Sequence, residues 1–195
     1  MWTRVFAGRF LIVLFALLIL NACVAVYHPF YPKKWEARPS IADNECTDIA
    51  GEYHIDGDNG KNQPSIPLTY FFWSGFSPKR WKESGLNQVY RVKIEQSTET
   101  IKISAWKQEN KIAERMLHKR SELDHTSYTC THDGIMVEGA GLPVHSVAGV
   151  IFQKLTLMKL SDGSLVLKHT DTGGGLALVI PFFMSTSEWA RYGPM

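Results

Sequence analysis

The stretch Tyr90-Arg-Val-Lys-Ile-Glu95 alternates apolar and charged side chains. The same period of two runs through Ile101-Lys-Ile-Ser-Ala-Trp106 a few residues later. Because successive side chains of a β-strand point to opposite faces, each stretch predicts a strand with one buried face. Two further leucine pairs continue the pattern, Leu155 with Leu157 and Leu165 with Leu167.

Asp-Gly pairs stand between consecutive predicted strands, at Asp133-Gly134 and Asp162-Gly163. Asp-Gly suits the two-residue hairpin turn, because the central residues of that turn have positive φ. The sequence therefore predicts a mainly β fold, a single antiparallel meander closed as a small barrel or folded as a sandwich. No segment predicts a long helix, and Ile112–Leu123 is interpreted as one short turn or a ragged strand. Gly173-Gly-Gly175 is interpreted as a mobile loop before a buried terminal strand at Leu176–Ile180.

Residues 1–22 have the plan of a secretory signal. Arg4 and Arg9 precede the apolar run Phe10–Leu20, which is shorter than the roughly 20 apolar residues of a transmembrane span. Leu20-Asn-Ala-Cys23 follows and resembles the bacterial lipobox. The resemblance implies cleavage before Cys23, acylation of that residue by palmitate-like chains, and, with Val24 next, sorting to the outer membrane. The alternative is an uncleaved signal anchor, against which Asn21 argues.

The chain has three cysteines, an odd number for an exported protein. With Cys23 assigned to the lipid, Cys46 and Cys130 remain and predict one disulfide, since disulfides persist in oxidising compartments. The alternatives for Cys130 are a buried thiol or a nucleophile, because His125 and His132 are near it in sequence.

Residues 23–45 contain Pro29, Pro32 and Pro39 and show no sustained apolar period. Proline favours extended backbone, so this segment is predicted to be a tether that lifts the β-rich, periplasm-facing domain at 46–195 off the membrane. Two roles stay open for the aromatic side chains of the tether, which either rest at the lipid interface or cover a side of the domain: Tyr27, Phe30, Tyr31 and Trp35.

The net charge of the chain argues against some classes of binding partner. The chain carries 21 Lys and Arg against 19 Asp and Glu, and two of the basic residues lie in the export segment. The remaining chain is formally neutral and lacks basic runs, which argues against nucleic acid and against electrostatic wrapping of an anionic membrane. No cofactor motif is recognised, and the histidines lack metal-ligand spacing, so no metal is predicted.

Six large rings are concentrated in one stretch among turn-forming residues: Tyr70, Phe71, Phe72, Trp73, Phe76 and Trp81. Such clusters either complete a core or line an apolar pocket or partner surface. As a binding hypothesis, these six side chains form the surface for an apolar ligand or an envelope partner protein.

Three segments carry a further resemblance: Cys46-Thr-Asp-Ile-Ala-Gly-Glu-Tyr53, Tyr128-Thr-Cys-Thr-His-Asp-Gly134 and Leu160-Ser-Asp-Gly-Ser-Leu165. With the lipobox, they resemble a loose group of proteobacterial lipoproteins that has no established activity. Gly51-Glu-Tyr53 is also similar to the Gly-x-Trp opening of lipocalins, which implies a barrel able to hold one small ligand.

The sequence thus predicts a noncatalytic envelope lipoprotein that binds an apolar ligand or an envelope protein. The alternative is a periplasmic hydrolase, which would require a nucleophile or metal, a base and an orienting group to converge on folding. The residues whose convergence would support it are His125, His132, Asp133, His145, His169 and Asp171.

Overall fold

The computed structural model describes residues 23–42, 45–61, 63–73, 78–120, 126–138, 142–143, 148–177 and 180–195. Its strands are β1 Cys23–Tyr27, β2 Gly51–His54, β3 Arg91–Gln96, β4 Thr100–Lys107, β5 Asn110–Lys119, β6 Ser127–Thr131, β7 Gly134–Glu138, β8 Leu142–Pro143, β9 Ala148–Lys159, β10 Leu165–Ala177 and β11 Ile180–Tyr192. Two short helices, α1 Leu68–Trp73 and α2 Pro78–Glu83, lie between β2 and β3, followed by a 3₁₀ turn at Leu86–Gln88.

Ten of these strands form one continuous path in the order β1-β11-β10-β9-β7-β6-β5-β4-β3-β2, and β8 pairs with β9 beside it. The predicted mainly β fold is confirmed. The prediction of a purely antiparallel meander is wrong, because β1 pairs in parallel with β11 and β5 pairs in parallel with β6. The pairing of β1 with β11 places Cys23–Tyr27 on the edge of the sheet, beside the last strand.

The path does not close into a barrel over the described residues, so the barrel prediction is wrong. The free edge of β11 is shared. β1 pairs with residues 182–186 of β11. Near the end of β11, isolated bridges join Arg191 to Asp58 and Pro194 to Tyr53, which belongs to β2. The sandwich alternative stays a prediction.

Both halves of the sheet and helix α1 contribute to one main core. The alternating residues that predicted strands are fully buried on one face: Val92, Ile94, Ile101, Ile103, Leu157, Leu165 and Leu167. Leu68 and Phe72 of α1 pack onto the same cluster. The period of two therefore identified the buried face correctly, although it did not predict the order of the strands.

The hairpins predicted at the Asp-Gly pairs are confirmed between β6 and β7 and between β9 and β10. The predicted two-residue turn with Asp-Gly at its centre is not formed in either, because Asp133 and Asp162 do not have positive φ. Gly134 and Gly163 have φ of 129° and 85°, which favours glycine at both places. Cys46 and Cys130 lie at disulfide distance with their Cα atoms 5.0 Å apart, as the cysteine count predicted. The pair links the segment before β2 to β6.

A second, smaller core lies on the opposite face of β9–β11. Trp35, from the segment predicted to be a tether, is only 5% exposed and packs there with Met158, Leu160, Val166 and Trp189. The ring of Tyr31 meets those of Trp35 and Trp189 edge to face, with centroids 5.6 and 5.1 Å apart. The segment lies against the sheet, with β1 at its start and a hydrogen-bonded turn between Pro32 and Trp35.

Two local interpretations change. The glycines at 173–175 are not a loop but part of β10, and the following Leu176 is exposed rather than buried. A Cβ on Gly173 would collide with the Val150 carbonyl oxygen of β9, so glycine permits the close approach of the two strands. Residues 112–119, with ambiguous composition, belong to strand β5, whereas 121–125 lie outside the described residues.

Candidate functional site

The predicted lipid site, Cys23, is the first residue of β1. It lies opposite Phe182 in the parallel pairing with β11, and Tyr27 lies opposite Thr186. Immediately after the strand, the imidazole of His28 contacts two hydroxyl groups of β11, with Nδ1 2.7 Å from Ser187 Oγ and Nε2 3.1 Å from Ser185 Oγ. The backbone is therefore fixed to the sheet edge from the predicted lipid site onward.

Six exposed apolar side chains lie near Cys23 on one face of the sheet, and we call them the apolar tip: Val24, Val26, Val150, Phe152, Leu176 and Phe183. Each is between 42% and 63% exposed. The strand register places Val24, Phe183 and Val150 in one row across the sheet, and Val26 and Phe152 in the next. Side chains in these rows share a face because they are cross-strand partners. The tip is thus an uncharged, largely apolar surface at one end of four strands, with Gly174 between Phe183 and Val150 and the hydroxyl groups of Ser185 and Thr172 between Val26 and Phe152.

The strand segments that carry the apolar tip contain no charged residue. This holds for 23–27, 148–153, 172–177 and 180–187. The first charged side chains on the same face follow in the next rows, Lys154 on β9 and Lys168 on β10. Monomeric soluble proteins seldom expose large uncharged apolar patches, and such patches usually mark a contact surface.

Behind the tip, the same face forms a groove of about 360 Å³. Three basic side chains, those of Arg38, Lys154 and Lys168, line it together with the hydroxyl groups of Thr170 and Ser187. Arg38 Nη1 lies 3.3 Å from a carboxylate oxygen of Asp133, and Lys168 Nζ lies 5.4 Å from the ring centroid of Trp189. The face therefore changes from apolar to hydroxyl-bearing to basic with distance from Cys23.

The opposite face carries an ion cluster around one buried histidine. His169 is 7% exposed, with Nε2 3.1 Å from an oxygen of Asp171 and Nδ1 3.7 Å from an oxygen of Glu188. Burial lowers the pKa of His169, but hydrogen bonds and charge from Asp171 and Glu188 outweigh it and raise that pKa to about 9. The imidazole is therefore protonated at neutral pH, and a protonated imidazole cannot accept a proton as a general base.

The candidate hydrolase residues do not converge within the part of the chain that the structure describes. His132 and Asp133 adjoin each other in the β6–β7 turn, 3.3 Å apart. Asp133 lines the groove, whereas His169 and Asp171 lie on the opposite face. His125 and His145 lie outside the described residues.

The aromatic segment is distributed between the core and its margin. Phe72 is buried, and Phe71 and Trp73 are partly buried against the main core. The rings of Tyr70 and Trp81 meet edge to face across α1 and α2, 6.0 Å apart, and the indole of Trp81 donates to the Thr69 hydroxyl at 3.1 Å. Phe76 lies outside the described residues. Four side chains of the predicted binding segment are therefore partly accessible, those of Tyr70, Phe71, Trp73 and Trp81. Trp73 and Trp81 also pack against a third cluster of buried residues, Leu86, Val89 and Ala105.

No family model matches the chain, and no curated protein matches its sequence. Among the residues that the structure describes, no helix is long and apolar enough to cross a bilayer. Within those same ranges, no group of three or more His, Cys, Asp or Glu side chains is placed to hold a metal ion.

Sequence reasoning missed the apolar tip, because its members come from four strands that are distant along the chain. The sequence does contain a signal for this surface, in the distribution of charged residues. Uncharged stretches recur at 148–153, 172–177 and 180–187, and each contains exposed Val, Leu, Ile or Phe. Their alignment becomes visible only when the strand register is known.

Proposed function

We propose that the protein is a noncatalytic lipoprotein of the cell envelope, anchored by acyl chains on Cys23 in the outer membrane and facing the periplasm. The observation that supports this most directly is the position of Cys23, which opens an edge strand beside an uncharged apolar surface. An anchor at that point brings the apolar tip to the lipid. Two acyl chains are enough for stable attachment, whereas one chain binds membranes only marginally.

The anchor is tested by metabolic labelling with a clickable palmitate analogue. We expect the wild-type chain to be labelled and Cys23→Ser to lose the label, because serine has no thiol to accept the diacylglyceryl group. The matched control is the double variant Cys46→Ala/Cys130→Ala, which keeps Cys23 and should remain labelled. Equal labelling of wild type and Cys23→Ser would overturn the proposal.

The activity that we propose for the domain is binding of an apolar ligand or an envelope partner, with Tyr70 and Trp81 as contact residues. These rings are half-buried beside the core, so a ligand can reach them without opening the fold.

Binding is tested by following tryptophan fluorescence during titration with a fatty acid. A saturable change in wild type that disappears in Tyr70→Ala, at unchanged melting temperature, would support this site. Tyr90→Ala is the control, because Tyr90 is an exposed tyrosine whose hydroxyl donates to the Gln108 carbonyl at 3.2 Å, beside the β4–β5 turn. An identical response in Tyr70→Ala and wild type would contradict the site.

A further inference from the structure

The apolar tip is a surface that the domain's own packing leaves partly exposed. Its six side chains lie outside both the main core and the smaller core under Trp35. Exposing them to water costs free energy, at about 25 cal/mol for each Å² of apolar surface. A partner that covers the tip would remove this cost.

The chain that precedes the described residues identifies the partner. The apolar run Phe10–Leu20 ends three residues before Cys23, and Cys23 stands in the row next to Val24. Under both alternatives for the export segment, a lipid on Cys23 or an uncleaved anchor, the membrane-embedded part of the protein meets the sheet at the tip. The available covering surface nearest to these side chains is therefore the bilayer itself.

The spacing of the rows fits the depth of the bilayer interface. Strands rise about 3.4 Å per residue, so the row of Val24 and the row of Lys154 are separated by roughly 14 Å. Interfacial protein segments bury their apolar faces about 5–10 Å into the boundary between headgroups and acyl chains. With Val24 and Phe183 at that depth, Lys154 lies near the phosphates. Lys168 follows one row further, at roughly 7 Å beyond Lys154, and its long side chain can extend back toward them.

We propose that the apolar tip inserts into the interface of the bilayer that holds the anchor, with Lys154 and Lys168 against anionic lipid phosphates. This rests on the proposed function only in that the anchor brings the tip to the membrane. The domain then lies directly on the membrane rather than at the end of a free tether. Because the chain beyond the export segment is neutral overall, apolar contact supplies the attraction, and the lysines set the depth.

The test uses the full, membrane-extracted protein reconstituted into vesicles of phosphatidylethanolamine and phosphatidylglycerol. Phe152→Cys carries an environment-sensitive fluorophore, and Met116→Cys is the matched control, since Met116 is an exposed apolar residue of β5. We expect blue-shifted emission at 152, with loss of most of that emission when the lipids carry brominated acyl chains. The probe at 116 should show neither effect. Val150→Cys is a second reporter on the same face in case the first variant fails to fold.

The contact of the two lysines with lipid phosphates is tested with the double variant Lys154→Glu/Lys168→Glu, which carries the fluorophore on Phe152→Cys. We expect quenching to fall in vesicles that contain phosphatidylglycerol, because the introduced carboxylates repel its phosphate. Quenching should stay unchanged in vesicles of phosphatidylcholine alone. An equal effect in both lipid compositions would overturn the role of the lysines.

Failure of this inference and failure of the proposed function are distinguishable in the same sample. Mass spectrometry reports whether Cys23 is acylated. Acylated protein with a solvent-like probe at 152 overturns tip insertion alone, whereas a lipid-exposed probe on unacylated protein overturns the anchor alone. Energy transfer between probes at 152 on different molecules, without quenching by lipid, would show that a second copy covers the tip and would also overturn the inference.

Discussion

Cys23 lies opposite Phe182 where β1 pairs with the beginning of β11. The pairing continues for five residues and is followed by the His28 contacts with β11 hydroxyls. Because the chain is paired with the sheet from Cys23 onward, no flexible linker separates the predicted lipid site from the sheet. With the proposed anchor on Cys23, the distance between membrane and domain is set by the strand geometry and not by the length of a flexible linker.

Trp35→Ala tests whether the segment after β1 is part of the folded domain. Trp35 is 5% exposed, and its indole donates to a carboxylate oxygen of Asp58 at 3.2 Å. Removing a buried tryptophan typically lowers the free energy of unfolding by about 3–5 kcal/mol. Phe30→Ala is the control and should change little, because Phe30 is 94% exposed. Urea denaturation that gives equally small effects for both variants would mean that the segment is detached in solution.

The Cys46–Cys130 pair closes a loop of 84 residues in sequence separation. Closing a loop of this length restricts the unfolded chain and is expected to stabilise the fold by roughly 4 kcal/mol. We therefore expect Cys46→Ala/Cys130→Ala to lower the free energy of unfolding by about that amount in denaturant titration. Alkylation of the unreduced wild-type protein provides an independent check, and two modifiable thiols would contradict the disulfide.

Local signals in the sequence predicted local structure well. Alternation around Val92 and Ile103 identified buried strand faces, and Asp-Gly pairs identified two hairpins, because both signals arise from neighbouring residues. The parallel pairing of β1 with β11 was not predictable in this way. Its partners are about 160 residues apart, as Cys23 and Phe182 illustrate, and no periodicity marks either of them as a partner of the other.

Two further misses have specific physical reasons. Helices α1 and α2 have six residues each, too few for a 3.6-residue period to emerge, and short helices draw their stability from tertiary packing such as that of Phe72. The glycines at 173–175 give a loop signal in isolation. In the fold they let β9 and β11 approach β10 closely, which depends on neighbours that the sequence does not reveal.

Stability should decrease as pH rises through the range in which His169 loses its proton. The pKa of His169 is about 9 when folded, against 6.5 as its ordinary value, which describes the unfolded chain. A raised pKa stabilises the fold fully below about pH 6.5, and this contribution is lost as pH rises to about 9. Since one pKa unit corresponds to about 1.36 kcal/mol, the contribution is at most about 3 kcal/mol.

The measurement is the free energy of unfolding between pH 6 and pH 9.5. We expect it to fall in wild type and to fall distinctly less in His169→Gln, which cannot carry the charge. His132→Gln is the matched control, because His132 is 70% exposed in the β6–β7 turn and should leave the pH profile unchanged. Parallel profiles for wild type and His169→Gln would show that Asp171 and Glu188 do not stabilise the imidazolium.

Alanine substitution along α1 separates the core residues of the aromatic segment from those available for binding. Phe72 is 3% exposed in the main core, so Phe72→Ala should lower the free energy of unfolding by about 3–5 kcal/mol. Tyr70→Ala should cost less, because that ring is half-buried and its main ring partners are Phe71 and Trp81. Trp81→Phe removes the hydrogen bond to Thr69, at a cost of about 1 kcal/mol.

Melting temperatures of these variants, measured together with the fatty-acid titration, separate core residues from contact residues. A variant that keeps its melting temperature and loses the fluorescence response identifies a contact residue. If Tyr70→Ala destabilises the domain as strongly as Phe72→Ala and no variant changes a ligand response, these rings serve only to pack α1 and α2 against the sheet.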